Sequence, residues 1–372
     1  MAHAYTPGLR VTRHTTLRRQ RQLPLKGELL VSQDDAVTRD QVVARTDLPG
    51  NVTTLNLVNI LSCTPDELPN YMLKGEGDSV EAGEAIAETR PFIKWFKTTV
   101  EAPITGTLEN ISKVTGQIIF REPPRPVQVQ AYIDGVVAEV LPEEGVVVET
   151  TGAFVQGIFG VGGETWGALH IVTTSPDQAI TPDQIDPTCA GKILIGGNLL
   201  TLDVINKARE CGAVGIIGGG IQDADLRNLL GYDLGVAITG TEDIGLTVIV
   251  TEGFGAINMA GKTFDILNEN NGKEASISGA TQIRAGVQRP EIIIPESNID
   301  NHAEEGEHPG LIEGALLRVI RAPYFGYVGK VTALPPELQS VESETQVRVL
   351  EVEFENGDRA TVPRANVELI EE

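Results

Sequence analysis

Two stretches of this chain share one frame. GELLVSQDDAVTRDQVVAR, beginning at Gly27, places Asp35-x-Val37 ahead of Val43-Ala44, and YMLKGEGDSVEAGEAIAE, beginning at Tyr71, places Asp78-x-Val80 ahead of Ile86-Ala87. The offset between them is 43 residues. Each reads as strand, turn, strand, with a charged turn that keeps the hairpin soluble. An internal duplication and two separate copies of a common hairpin both fit the pattern. The glycine content, 40 residues against 5% aromatics, points the same way, to short strands and tight turns rather than long helices.

With 372 residues the chain is long enough for two or three domains, each with a real core. Its net charge of -23 is unevenly spread. Arg10, Arg13, Arg18, Arg19, Arg21 and Lys26 lie in the first 26 residues, which contain no acid. The acidic body repels nucleic acid and anionic lipid, so RNA or another polyanion is expected to bind only through the N-terminal arm. Cys63, Cys189 and Cys211 form no C-x-x-C pair, which argues against a disulfide framework or structural zinc. There is no apolar signal-peptide core and no run long enough to span a membrane, so a cytoplasmic protein is expected.

The patterning divides the chain into a basic flexible arm (1–24), a β-domain (25–174), an α/β domain with a largely parallel sheet (188–295), an acidic linker (296–309) and a compact β-barrel (310–372). The α/β assignment rests on strands such as GKILIGG and GLTVIVTEG alternating with helical stretches such as LTLDVINKARECG, where Thr201 is the expected N-cap and Gly212 the stop. In the last segment FENGDRATV sets an Asn-Gly turn between alternating apolar residues, a hairpin signal.

Two segments resemble known families. GDSVEAGEAIAE and VEAPITGTL, within residues 73–120, resemble the entry hairpin and return strand of biotinyl/lipoyl barrel-sandwich hybrid domains. In that family the modified lysine lies five residues before the valine matched by Val100. Trp95 stands at that position here, with Lys94 and Lys97 to either side, so the resemblance implies the barrel without an attached cofactor. LLRVIRAPYFGYVGKVTAL is similar to the KOW domain of NusG-type transcription factors and certain ribosomal proteins, with Gly329 at the glycine turn. Such a domain implies an SH3-like barrel that binds a protein of the transcription or translation machinery, or RNA. Six basic and eleven acidic residues in 310–372 favour a protein partner.

Candidate partner-binding residues are Arg318, Arg321, Tyr324, Phe325, Tyr327 and Lys330 on the barrel, and Trp95 on the carrier-like hairpin. In the α/β segment Glu252, at a strand end, with Arg284 and Arg289, offers a site for a small ligand. No catalytic set, metal site or cofactor is read from the sequence. The expectation is a non-catalytic modular binding or scaffold protein. The alternative is an enzyme-complex subunit that positions a small anionic substrate or redox partner at Glu252.

Overall fold

The computed structural model describes residues 6–89, 97–232, 242–281, 288–296, 312–319, 324, 327–335, 338–340, 346–354 and 357–370. The fold is rich in β-structure, built from several sheets, with short helices confined largely to residues 202–269.

The shared frame is a structural duplication, and one copy is inserted into the other. The outer repeat comprises strands Val11–Gln22, Glu28–Leu29, Ala36–Val37 and Val42–Leu48, then resumes with Arg125–Gln130, Gly135–Leu141 and Gly145–Gln156. Between its halves lies the inner repeat: Val52–Asn56, Ser79–Val80, Ala85–Glu88, Thr99–Glu101, Gly106–Ile111 and Gln117–Arg121. In each, the first strand pairs with the last, the last with its hairpin partner, and that partner with a two-residue edge strand.

The agreement extends to single hydrogen bonds. The Asp35 carboxylate accepts from the Ser32 N–H and the Asp78 carboxylate from the Gly75 N–H, both at 2.7 Å. Leu30 N–H donates to the Val43 carbonyl and Leu73 N–H to that of Ile86. In the returning halves the offset becomes 29 residues in the opposite direction: Val137 N–H donates to the Asp35 carbonyl, and Leu108 N–H to the Asp78 carbonyl. Even the left-handed residue before the edge strand recurs, as Asp34 (φ 67°) and Gly77 (φ 90°). Two independent hairpins would not reproduce the returning strands. Each repeat has its own core, Val37, Val43, Val137 and Val148 in the outer and Val80, Ile86, Leu108 and Phe120 in the inner.

The expected boundary between a β-domain and an α/β domain does not hold. Gly145–Gln156 is long enough to serve both: its first half pairs with Gly135–Leu141, and its second half with Glu291–Pro295. The two regions therefore share one sheet, of twelve strands among the described residues. Its centre is parallel as expected, with Glu164–Ile171, Lys192–Ile195, Gly215–Ile221 and Thr247–Phe254 side by side, but antiparallel strands flank it on both sides. Thr201 caps the helix Leu202–Glu210 by accepting from the Val204 N–H, and Gly212 follows at φ 78°. The acidic linker beyond Glu296 lies outside the described residues.

The arm expected to be flexible is a strand. Val11–Gln22 pairs along Gly145–Gln156, and Thr6–Leu9 runs parallel to Val367–Ile370 in the C-terminal sheet. One continuous N-terminal segment thus joins the large sheet to the C-terminal one. The reason is electrostatic as well as structural. Arg13, Arg18, Arg19, Arg21 and Lys26 face Glu269, Glu149, Glu291, Glu164 and Glu143 at 2.5–3.0 Å. The acidic body holds its own basic arm. In the C-terminal sheet, Leu316–Val319, Val328–Ala333, Leu338–Ser340, Gln346–Phe354, Arg359–Pro363 and Val367–Ile370 enclose Leu317, Val331, Leu350 and Val352. The hairpin expected around Gly357 joins Gln346–Phe354 to Arg359–Pro363.

Candidate functional site

The candidate ligand residue and a candidate partner residue turn out to hold each other. Glu252 is carried at the C-terminal end of Thr247–Phe254, a strand whose side chains are buried up to Phe254. One carboxylate oxygen, Oε1, accepts from the Ala260 N–H at 3.0 Å. The other, Oε2, is paired with Nη2 of Arg318, which projects from Leu316–Val319 of the C-terminal sheet. Arg318 Nη1 also donates to the Glu252 main-chain carbonyl at 3.4 Å. The two side chains are 4% and 15% exposed, so this is a largely desolvated ion pair. Such a pair need not add net stability, but loss of either member leaves a buried charge uncompensated.

The strand ends around Glu252 are filled by the chain itself. A Cβ on Gly219 would sit 2.2 Å from the Ile257 carbonyl oxygen, and one on Gly220 would sit 2.2 Å from that of Gly255. The glycine run Gly218-Gly219-Gly220 therefore serves close packing of residues 255–259 over the strand. Gly219 N–H donates to the Asn198 carbonyl at 2.9 Å, and the Asn198 side chain bonds to Asn258. A small anion at Glu252 would have to displace both Arg318 and this covering segment. Arg289 is half-buried and has interactions of its own, whereas Arg284 lies outside the described residues. Glu252 is instead met by a cation that the sequence had placed elsewhere, Arg318 of the C-terminal sheet.

The C-terminal sheet presents a second feature. Tyr324, Tyr327 and Phe354 pack ring against ring, with centroid separations of 5.2–6.2 Å. Phe354 belongs to the core, while Tyr327 is 50% exposed and Lys330 is exposed nearby in sequence. Gly329 allows the strand to lie close to its neighbour, since a Cβ there would meet the Glu353 carbonyl at 2.6 Å. Arg321, Phe325 and Trp95 lie outside the described residues. Lys97 is paired with Glu88 at 2.5 Å.

An open groove of about 670 Å³, not foreseen from the sequence, lies on the inner repeat. Ser79, Val80, Glu81 and Glu84 form one wall, Thr105, Gly106 and Thr107 another, and Pro123-Pro124 closes it. The signal was present in the acidic turn and the double proline, but their meeting depends on the fold. Among the described residues no group of three His, Cys, Asp or Glu side chains is arranged to hold a metal, and the three cysteines are unpaired. Burial and Glu67 push the Cys63 thiol pKa up, which disfavours the reactive thiolate. No helix among the described residues is long and apolar enough to cross a membrane.

Compared with known proteins, the chain matches no protein-family model and no curated protein.

Proposed function

We propose that this chain is a non-catalytic, cytoplasmic binding or scaffold protein whose C-terminal KOW-like barrel docks a protein partner of the transcription or translation machinery. The observation that carries this reading is the aromatic cluster of Tyr324, Tyr327 and Phe354. It fixes a half-exposed tyrosine on a rigid support, with Lys330 close by in the sequence. Interfaces concentrate their binding energy in such aromatic anchors, because a large, preoriented ring buries much area at little entropic cost. The likeness of GDSVEAGEAIAE and VEAPITGTL to barrel-sandwich hybrid domains adds a carrier-type barrel used as a spacer rather than as a cofactor arm. Trp95 at the lysine position supports that part.

The pairing of Arg318 with Glu252 determines how to test the proposal. Deleting residues 310–372 would strip a buried carboxylate of its cation, so point variants are cleaner. Native capture of interacting proteins by the full chain, read by mass spectrometry, is compared with capture by Tyr327→Ala and Lys330→Glu. A partner retained by the parent and lost from both variants supports docking through the barrel. The loss expected for an anchor of this kind is about 2 kcal/mol, roughly thirtyfold in affinity. Identical capture by all three chains would refute it.

A further inference from the structure

We propose that the groove on the inner repeat is a second docking surface, and that it takes an extended peptide segment of a protein partner bearing lysine or arginine. The argument starts from the duplication, because the same corner of the outer repeat is already engaged. There Arg39 N–H donates to Asp134 Oδ1 at 2.7 Å. At the matching positions of the inner repeat Ala82 N–H donates to Thr105 Oγ1 at 3.0 Å. In the outer repeat Arg39 also spans from Asp134 to Glu274, both at 2.7 Å. The Tyr132 carbonyl beside them accepts from Ser276 Oγ at 2.6 Å. Glu274 and Ser276 both belong to the extended strand Glu274–Ser278. This corner of the outer repeat therefore holds a strand through one ion pair and one hydrogen bond. In the inner repeat the corner opens instead into the 670 Å³ groove.

The chemistry of the groove names its occupant. Alanine and threonine replace the Arg39 and Asp134 pair, while Glu81 and Glu84 stand where the outer repeat has Thr38 and Gln41. The charge at the corner is thus reversed: the outer repeat offers a cation to a glutamate, and the inner repeat offers carboxylates to a cation. Pro123 and Pro124 contribute no N–H to the wall. The Thr105 hydroxyl already accepts from Ala82, and the hydroxyls of Ser79 and Thr107 also line the groove. Lys74 at the rim pairs with Glu84 at 2.6 Å and bonds to the Ser79 carbonyl, which leaves the exposed Glu81 as the principal free acceptor. The two-residue edge strand Ser79–Val80 runs along this wall. Since Glu274–Ser278 pairs with Glu164–Ile171 and Glu291–Pro295 and meets the outer corner through the side chains of Glu274 and Ser276, an extended guest is expected to be held here through its side chains as well.

The test uses the full chain and a fluorescein-labelled peptide of alternating valine and lysine, followed by fluorescence anisotropy at near-physiological salt. Because the whole molecule is acidic, specificity is judged against Asp203→Asn with Glu210→Gln, which removes two charges from an exposed helix face elsewhere. Saturable binding weakened about tenfold by Glu81→Gln with Glu84→Gln, and unchanged by the helix pair, supports the groove. Since Glu84 also holds the turn by accepting from Glu81 N–H, Thr107→Arg provides a second reading, obstructing the groove from an exposed position on a strand. Absence of saturable binding overturns the proposal. So does equal weakening by the groove and helix pairs, or full binding to Thr107→Arg. Tyr327→Ala is expected to leave the peptide affinity unchanged, which separates this site from the one on the barrel.

Discussion

Arg318 shows how one side chain can change the meaning of two candidate sites. From sequence it belonged to a docking patch and Glu252 to a ligand site; in the structure they neutralise each other. Arg318→Ala is expected to destabilise the chain by about 3–5 kcal/mol, the usual consequence of leaving a buried partner charge unpaired. Urea unfolding, monitored at the C-terminal sheet and at the large sheet, would measure it. A loss below about 1 kcal/mol would mean that solvent reaches Glu252 freely. His170 supports a second prediction. Partial burial, reinforced by Lys192 and opposed by Asp186, lowers its pKa below the usual 6.5. The folded chain thus resists a proton that the unfolded chain accepts, so stability is retained above about pH 6.5 and lost as the pH falls below it. His170→Asn should flatten that part of the pH dependence in urea midpoints measured between pH 7 and pH 5. An unchanged slope would assign it to carboxylates alone.

At the scale of elements, the N-terminal strand is the main surprise. Its sequence, VTRHTTLRRQRQ, is strongly basic and has little apolar content, which made a mobile arm the natural reading. Propensity did not reveal that Arg13, His14, Arg18, Arg19 and Arg21 would each find a carboxylate on the body. Arg19 is the best placed, with both Nε and Nη2 on Glu291 and its guanidinium 5.4 Å from the Phe154 ring centroid. Arg19→Ala is expected to cost about 1–3 kcal/mol, as for other charged hydrogen bonds in partly buried sites. It should also increase hydrogen exchange along Val11–Gln22. An arm that acted only as a polyanion tether would show neither change. By contrast, the helix Leu202–Glu210, its cap and its glycine stop were legible, because these depend on neighbours within one or two turns.

The whole molecule carries the prediction that follows from nesting. The inner repeat leaves and re-enters the outer one at nearly the same place: Leu48 faces Arg125 in the paired strands, and Glu122 N–H donates to the Asn51 carbonyl at 2.9 Å. It also has its own core. Replacing residues 51–122 by a short Asn-Gly turn should leave the rest folded, with a cooperative melt and native-like β-sheet circular dichroism, because the closure is already formed. Collapse of the shortened chain to a non-cooperative state would show that the outer repeat depends on the inner one.

What the sequence determined by itself was local. Hairpin frames, helix limits, turn positions and the shared 43-residue offset all follow from periodicity and from glycine, proline and capping residues acting over a few positions. The return halves of the repeats escaped that reading, since their offset has the opposite sign and their partners lie far away in the chain. Only the tertiary structure decided that one repeat sits inside the other, that a single strand serves two regions, and which charges meet. Strand pairing and ion pairing over more than a hundred residues depend on where the whole backbone brings the groups together. Glu252 with Arg318, Arg19 with Glu291, and Glu81 with the double proline were all visible as residues. Their meanings came from their neighbours.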